Sequence, residues 1–123
     1  MKKVAIIGGG ISGLYIASLL RLNPNYEVII YEKNNSINLE KGYGIQLSVN
    51  SIRLLNKIGF QNINFKEKFF PNRVNFYSLK SKSKICDLDI SAFNESEDKY
   101  TTLQRFTLID FLRNKLPNNL INF

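Results

Sequence analysis

The sequence predicts an α/β fold: a strand–helix–strand (βαβ) unit with a parallel sheet near the amino terminus, followed by an antiparallel hairpin. Three observations support this prediction. A short apolar run at residues 4–7 and a second strand-like segment at residues 27–32 flank a segment in which apolar residues recur at helical spacing. A cluster of glycines separates the first run from that segment. Two later segments alternate apolar and polar residues, as strands with one buried face do.

The first three predicted elements form the βαβ unit. Residues 4–7 read Val-Ala-Ile-Ile, a continuous apolar run that is typical of a parallel strand buried on both faces. The helix is predicted from about residue 12 to residue 22, and Pro24 prevents it from continuing. Residues 27–32 form the second strand. Because the three elements follow one another within about thirty residues, the two strands are expected to lie parallel, joined by a right-handed crossover.

The rest of the chain is predicted to contain two further helices, the hairpin and two short strands. In chain order these are a polar loop at 33–44, a helix at 51–58 ended by Gly59, hairpin strands at 73–79 and 84–90, a short strand at 101–104, a helix at 108–116 and the beginning of a strand at 120–123. The length of 123 residues fits a single domain. Apolar residues make up 44% of the chain, which is enough to build a hydrophobic core.

The chain carries a formal net charge of +7. A charge of this size can attract nucleic acid or anionic lipid. It can also reflect an AT-rich coding sequence, which favours Lys, Asn and Ile. The lysines are scattered and form no dense basic block. We therefore prefer the compositional interpretation and predict no nucleic-acid partner.

The cysteine and histidine contents exclude several kinds of site. Cys86 is the single cysteine, so no internal disulfide can form, and the chain has no histidine. Zinc sites of the common types and Ser-His or Cys-His nucleophiles are therefore not expected, and we predict no metal. The glycines at 8–13 interrupt the amino-terminal apolar run, which argues against a signal peptide or a membrane span. We expect a cytoplasmic protein with no integral membrane segment.

The glycines after the first strand are arranged as Gly8-x-Gly10-x-x-Gly13. Gly8 allows a sharp turn, Gly10 leaves room for a pyrophosphate to approach the backbone, and Gly13 lets the helix pack close to the strand. The N–H groups at the start of the helix and the helix dipole attract phosphate. A glycine motif alone is weak evidence, but here a strand precedes it and a helix follows it. The motif therefore predicts a dinucleotide site on a Rossmann-like fold.

An acidic residue, Glu32, ends the second predicted strand. It lies about twenty residues beyond the last motif glycine, where such folds place the acid that accepts hydrogen bonds from the ribose hydroxyls. Its negative charge would repel the 2′-phosphate of NADP. Glu32 does not distinguish NAD from FAD.

Three segments, in the same order along the chain, resemble the FAD-dependent aromatic-ring hydroxylases, the family of para-hydroxybenzoate hydroxylase and the ubiquinone-pathway hydroxylases. Residues 4–14 (VAIIGGGISGL) are similar to an opening that many flavoproteins share. Residues 42–55 (GYGIQLSVNSIRLL), with Ile58-Gly59-Phe60, resemble the family's Gly-x-Gly-Ile-x-Leu … Asn-Ala-x-x-x-Leu … Leu-Gly segment, although the family's Pro before Asn is missing. Residues 104–112 (QRFTLIDFL) resemble its Arg-x-x-Leu segment.

The resemblance implies an FAD site. The implied pyrophosphate residues are Gly8, Gly10, Ile11, Ser12 and Gly13, with Glu32 at the ribose, Lys33 beside the adenosine, Gly44 and Ile45 near the flavin, and Arg105 at the ribityl-phosphate region. Lys33 departs from the Arg usual in the family, so it supplies charge without a planar fork.

The resemblance also implies an activity for the complete enzyme: hydroxylation of an aromatic or similar small molecule with NAD(P)H and O₂. The family's later Asp-Gly and Gly-Asp-Ala-Ala segments, and the sheet that covers the flavin, are not found in this sequence. We therefore expect a fold truncated relative to the family, in which residues 1–123 are a partial FAD-binding domain without a second domain. No catalytic residue is predicted.

Two other hypotheses stay open. The chain could be a non-catalytic remnant of a split gene that needs a second polypeptide, or self-association, to complete its sheet, because an open parallel sheet exposes apolar edges. It could also be a small NAD-dependent oxidoreductase, which would need a catalytic Tyr-Lys pair or a histidine. The chain has no histidine and no convincing Tyr-x-x-x-Lys motif.

Overall fold

The computed structural model describes residues 1–37 and 42–123. Residues 38–41, part of the predicted polar loop, lie outside the described residues. The chain divides into two compact units, one formed by Met1–Gly44 with Gln104–Phe123 and the other by Ile45–Leu103. In the described ranges, no helix is long and apolar enough to cross a membrane.

Seven strands and three α-helices make up the described fold. In chain order they are β1 (Lys2–Ile7), α1 (Ile11–Leu20), β2 (Tyr26–Tyr31), β3 (Gly44–Leu47), α2 (Val49–Asn56), β4 (Arg73–Tyr77), β5 (Lys84–Asp89), β6 (Thr101–Gln104), α3 (Arg105–Asn114) and β7 (Ile121–Asn122). Short 3-10 helices lie at Phe60–Asn62, Phe65–Glu67, Ser91–Asn94 and Asn118–Leu120.

A three-stranded parallel sheet organises the first unit. β1 and β2 pair in parallel along their whole length, with Ile6 opposite Ile30. β7 pairs in parallel with the end of β2, so the strand order is β1-β2-β7. The predicted βαβ unit and parallel sheet are confirmed, and the strand bounds differ from the predicted ones by one or two residues.

Helices α1 and α3 supply the core of the first unit. They pack against each other, and α1 also packs on β1 and β2. The side chains of Leu14, Ile30, Leu108 and Leu112 are fully buried. Burial of apolar surface of this extent is what holds a small parallel sheet and its helices together.

Gly13 permits the close approach of α1 to the first strand. A Cβ atom at this position would overlap the carbonyl oxygen of Gly8 and lie 3.3 Å from Cγ2 of Ile6. The Gly8 oxygen cannot move far, because it belongs to the backbone, and the half-buried Ile6 lies in the paired strand β1. The predicted packing role of this glycine is confirmed by the geometry.

The third helix begins at Arg105, three residues before the predicted start. The backbone N–H of Arg105 donates to the carbonyl oxygen of Tyr43 at 3.0 Å. This bond satisfies one of the N–H groups that a helix leaves without an intrahelical acceptor in its first turn. Apolar periodicity starts only at Leu108, so it could not indicate the first turn.

The second unit combines a helix with two strand pairs. α2 buries Ile52 and Leu55, and Phe60, Ile90 and Leu103 complete a separate apolar core. β3 pairs with β6. The strand β3 was not predicted, because its four residues begin at Gly44, the last residue of the predicted polar loop, and only Ser48 separates them from a helix.

The predicted hairpin is confirmed. β4 and β5 pair in an antiparallel ladder with Val74 opposite Leu88, and the ladder becomes irregular after Phe76. On one face Arg73 donates to Asp87 at 2.8 Å. Gly59, which has φ +88°, follows α2 in the left-handed conformation expected of a residue that ends a helix.

We predict that Gly13→Ala destabilises the chain strongly. The new methyl group meets the Gly8 carbonyl oxygen, and overpacking of this kind costs about 3 kcal/mol of the free energy of unfolding. Urea denaturation measures the change. Gly10→Ala is the matched control, because no heavy atom lies within 4 Å of the added Cβ. Equal stability of the two variants would contradict the packing role of Gly13.

Candidate functional site

The glycine loop joins β1 to α1 at the carboxyl end of the sheet. Gly8 has φ +104°, a conformation that L side chains rarely adopt, and its N–H donates to the carbonyl oxygen of Tyr31 at 2.8 Å. This bond extends the parallel ladder by one step beyond the strands. Gly10 is the residue that precedes α1, with φ −77° and ψ −176°. The loop therefore turns sharply at Gly8 and delivers the chain directly into the helix.

The amino terminus of α1 presents backbone N–H groups. The first intrahelical bond runs from the N–H of Leu14 to the carbonyl oxygen of Gly10 at 2.9 Å. The N–H groups of Ile11, Ser12 and Gly13 precede it and so have no acceptor within the helix. No acidic residue lies in the first turn. These groups and the helix dipole together favour an anion at this position.

The carboxylate of Glu32 is held by backbone and side-chain donors. Gly9 N–H donates to Oε2 at 2.6 Å, and Asn34 donates to Oε1 through its backbone N–H at 3.0 Å and its Nδ2 at 2.8 Å. These donors, the Asn34 backbone N–H first and the Gly9 N–H next, lower the pKa of Glu32 below its usual value. The side chain is therefore an oriented, negatively charged acceptor at neutral pH.

An open cleft of 390 Å³ lies beside this carboxylate, entirely within the first unit. Its lining residues come from the glycine loop, from the segment after β2 and from the first turns of α3. They are Gly9, Gly10, Glu32, Asn34, Ser36, Ile37, Arg105 and Ile109. A Cβ at Gly10 would enter open space. The cleft therefore offers room next to the backbone at Gly10.

Arg105 brings a positive charge to the cleft. It lines the cleft from the start of α3, and Gly42 packs against its side chain. A Cβ at Gly42 would lie 3.0 Å from Cβ of Arg105 and 3.4 Å from its Cδ. The absence of a side chain at Gly42 therefore leaves space for the stem of Arg105.

The structure brings together some of the predicted site residues and not others. Gly10, Glu32 and Arg105 line the cleft, and Gly8, Ile11, Ser12 and Gly13 form the adjoining turn and helix start. The lining does not include Lys33, which is exposed, or Gly44 and Ile45, which begin β3.

Among the described lining residues, five were not predicted from the sequence: Gly9, Asn34, Ser36, Ile37 and Ile109. Gly9 stands at a variable position of the motif. A Cβ there would lie 3.2 Å from Oε2 of Glu32, so the absence of a side chain at Gly9 leaves room for the carboxylate. Asn34 carried a usable signal, because an Asn two residues after an acid can donate back to it.

Within residues 1–37 and 42–123, no group of three or more His, Cys, Asp or Glu side chains is arranged to hold a metal ion. The described residues that line the cleft include one carboxylate and one guanidinium, which suits a phosphate-bearing organic ligand with hydroxyl groups.

The amino-terminal part of the chain matches a known protein family. A family described as an NAD(P)-binding Rossmann-like domain matches residues 6–39, which include the glycine loop, α1, β2 and Glu32. The chain therefore carries the dinucleotide-binding βαβ unit that its motif predicted.

Individual proteins similar to part of this chain are monooxygenases. Two 3-amino-4-hydroxybenzoate 2-monooxygenases from Streptomyces platensis are 42% and 40% identical to this chain over 57 residues. The matched region is 46% of this chain and 14% of each relative.

Solved structures share the fold. The 2-methyl-3-hydroxypyridine-5-carboxylic acid oxygenase has a TM-score of 0.74 at 23% identity, covering 94% of this chain and 29% of its own. The 2,6-dihydroxypyridine-3-hydroxylase from Arthrobacter nicotinovorans has a TM-score of 0.72 at 16% identity, and the match covers 98% of this chain and 28% of the hydroxylase. HpxO from Klebsiella pneumoniae, solved with FAD and uric acid, has a TM-score of 0.74 at 19% identity, and the match covers 98% of this chain and 30% of HpxO. The predicted resemblance to aromatic-ring hydroxylases is confirmed, and the chain spans under a third of each of these proteins.

The lowered pKa of Glu32 predicts a pH-dependent contribution to stability. A carboxyl group whose pKa is lower in the folded chain stabilises the fold above its ordinary pKa of 4.5, and this contribution is lost as the pH falls through the depressed pKa. We expect Glu32→Gln to lower the free energy of unfolding at pH 7, and the difference from the native chain to shrink in acid. Urea denaturation at a series of pH values measures it, with the exposed Glu95→Gln as control. A constant difference across the series would show that the carboxylate charge is not involved.

Proposed function

We propose that this chain binds FAD and that the ADP half of the cofactor lies in the cleft between the glycine loop, Glu32 and Arg105. The observation that carries the proposal is the oriented carboxylate of Glu32, fixed by Gly9 N–H at 2.6 Å beside the open space at Gly10. The arrangement fits the cofactor, because it places an acceptor for ribose hydroxyls next to a cradle for phosphate.

The pyrophosphate would lie against Gly10 and the first turn of α1. A side chain at residue 10 would fill the space that the phosphate needs, and glycine leaves it open. The N–H groups of Ile11, Ser12 and Gly13 would donate to the phosphate oxygens, with Gly8 providing the turn that aims them. Such a site does not require a lysine.

The ribose of the adenosine would bind Glu32. Oε1 already accepts two N–H bonds from Asn34, whereas Oε2 accepts one from Gly9 and retains lone-pair capacity for a hydroxyl donor. The same negative charge opposes a 2′-phosphate, so NADP is a poor ligand for this cleft. FAD and NAD share the favourable ADP half.

Arg105 would bind the phosphate on the flavin side of the cofactor. Its guanidinium offers a planar pair of donors that match phosphate oxygens. The aliphatic part of the Arg105 side chain lies against Gly42, and Arg105 lines the cleft. The roles expected for Lys33, Gly44 and Ile45 stay predictions.

The complete activity is proposed from the relatives, since this chain spans 14% of the length of the curated monooxygenases it matches. FAD, when bound and reduced by NAD(P)H, supplies the oxygen chemistry that hydroxylates an aromatic substrate. The described residues of this chain would bind and orient the cofactor. The relatives' own names specify substituted benzoates and pyridines, and we propose an aromatic substrate of that class for the whole protein.

Titration with FAD tests the proposal. We expect the native chain to bind FAD and ADP competitively, and Gly10→Asp to weaken both by about a hundred-fold, because the substitution adds bulk and negative charge where phosphate lies. Calorimetry or quenching of flavin fluorescence measures the affinity. Ser81→Asp, in the exposed turn of the hairpin, adds the same charge elsewhere and should leave the affinity unchanged.

Two outcomes would contradict the FAD proposal. One is equal binding of FAD by the native chain and Gly10→Asp. The other is strong binding of NAD with no binding of FAD. The second outcome would favour a nicotinamide-dependent oxidoreductase, a candidate that the NAD(P)-binding family match supports.

We also propose that a further strand, from a second polypeptide or another copy of this chain, pairs with the outer edge of β1. β1 pairs with β2 on one side, and the described residues supply no strand on the other. Because alternate residues of a parallel strand point their N–H and C=O groups to opposite sides, the groups of Lys3, Ala5 and Ile7 face that edge. The side chain of Ile7 is 83% exposed.

Light scattering tests this partner proposal. We expect the native chain to self-associate with increasing concentration, and Ile7→Lys to shift it towards the monomer, because a charge on an edge strand opposes pairing. Leu79→Lys, at the tip of the hairpin, is the matched control, since its side chain is 99% exposed. A native chain that stays monomeric, alone and with candidate partner chains, would contradict the proposal.

A further inference from the structure

The outer end of the β4–β5 hairpin exposes apolar side chains. Leu79 is 99% exposed, Ile85 69% and Tyr77 58%. Residues 77–85, which we call the hairpin tip, lie within the compact unit Ile45–Leu103. A single exposed apolar side chain is common on protein surfaces, whereas a group of them on one short turn marks a surface that binds something.

The strand register brings these side chains to one place. Tyr77 pairs with Lys84 in the last step of the ladder, and Ile85 is passed over. An irregularity of this kind sets two residues of one strand against one residue of the other, so Lys84 and Ile85 both lie across from Tyr77. Leu79 follows in the turn itself. The three apolar side chains therefore gather at the end of the hairpin.

Hydrogen bonds hold the turn in a defined conformation. The N–H of Ser78 donates to the carbonyl oxygen of Ser83, and the N–H of Lys82 donates to that of Ser78, both at 2.9 Å. The hydroxyl groups of Ser81 and Ser83 are hydrogen-bonded at 2.7 Å. Lys82 has φ +54°, a conformation that favours glycine. The hairpin tip is thus a formed surface that holds a cation where the backbone favours a residue without a side chain.

The hairpin tip is also positively charged. It contains lysines at 80, 82 and 84, and no Asp or Glu lies between Arg73 and Asp87. Lys84 and Arg73 both bind the carboxylate of Asp87, at 2.9 and 2.8 Å. The ion pairs of the described residues include neither Lys80 nor Lys82, and both side chains are exposed. These two charges are available to an anionic partner.

The combination of charge and apolar surface favours a lipid bilayer over a nucleic acid. A phosphate backbone would satisfy the lysines but would gain nothing from Leu79 and Ile85. An anionic bilayer offers both headgroups that attract lysine and an apolar interior beneath them. Tyrosine is enriched at this interface, because its ring is apolar and its hydroxyl group is polar. The net charge of +7 adds attraction at longer range.

We propose that the hairpin tip docks on the surface of an anionic lipid bilayer. Leu79 and Ile85 enter the boundary between headgroups and acyl chains, and the ring of Tyr77 lies at the level of the headgroups. Lys80 and Lys82 contact the anionic headgroups. This contact holds the chain on the surface without crossing the bilayer. It does not depend on FAD binding, since the hairpin tip contributes no residue to the described lining of the dinucleotide cleft.

Co-sedimentation of the full chain with lipid vesicles tests this inference. We expect binding to phosphatidylcholine vesicles that contain about 30% phosphatidylserine, and binding about ten-fold weaker to phosphatidylcholine alone, because the neutral surface does not attract the lysines. Sodium chloride at about 0.5 M should weaken the binding to anionic vesicles, since salt screens exposed charges. A native chain that does not sediment with the anionic vesicles at low salt overturns the inference.

Removal of the two available charges tests the position of the contact. The double substitution Lys80→Gln and Lys82→Gln should weaken binding to the anionic vesicles about thirty-fold. Lys57→Gln with Lys66→Gln removes the same charge from exposed positions elsewhere in the same unit and should leave the binding nearly unchanged. An equal loss in the two double variants would mean that net charge alone drives the binding, and it would overturn the inference.

Removal of the apolar side chain distinguishes a bilayer from other polyanions. Leu79→Ser should weaken vesicle binding about ten-fold, because the apolar surface that enters the bilayer is lost. Leu22→Ser, at a position that is 70% exposed in the other unit, is the matched control and should have no effect. If Leu79→Ser binds vesicles as the native chain does, the inference is overturned. Binding of a DNA duplex as tightly as the anionic vesicles would also overturn it, in favour of a nucleic-acid surface.

Discussion

The close approach of α1 to the first strand at Gly13 sets the position of the groups around the dinucleotide cleft. The helix can come near the sheet only because no side chain separates Gly13 from the Gly8 carbonyl oxygen and from Ile6. That distance fixes where the first turn of α1 points its N–H groups. It also fixes the short turn from Gly8 to Gly10. The phosphate cradle is thus a consequence of helix–sheet packing as much as of the loop itself.

The parallel register of β1 and β2 brings the carboxylate of Glu32 next to the glycine loop. Ile7 lies opposite Tyr31, so the loops that follow the two strands begin side by side. The Gly9 N–H and the Glu32 carboxylate are therefore within hydrogen-bonding distance although they are far apart in the sequence. In open parallel sheets, ligands bind at the carboxyl ends of the strands for this reason. The site needs no long insertion, because neighbouring strand ends supply it.

Much of the fold could be predicted from local patterns, and the exceptions have separate causes. The apolar runs, the proline after α1 and the alternation in the hairpin are local signals, and the elements they predicted are present. The first turn of α3 was missed because a hydrogen bond to Tyr43, distant in sequence, supports it. In the cleft, Gly10, Glu32 and Arg105 follow from the motif and the family resemblance. Gly9 takes part because the side chain of Glu32, 23 residues further along the chain, accepts its N–H, which a spacing rule does not encode. Asn34 follows Glu32 by two residues, so its contact could be predicted from spacing.

The division of the chain into units has a consequence for the order of folding. The first unit is assembled from both ends of the sequence, Met1–Gly44 and Gln104–Phe123, whereas the second is one continuous segment. Contacts between distant segments cost more loop-closure entropy and form more slowly than local ones. The continuous second unit is therefore expected to form before α3 and β7 join the sheet and helix of the first unit. The dinucleotide cleft, which takes Arg105 and Ile109 from α3, becomes complete only when α3 packs in the first unit.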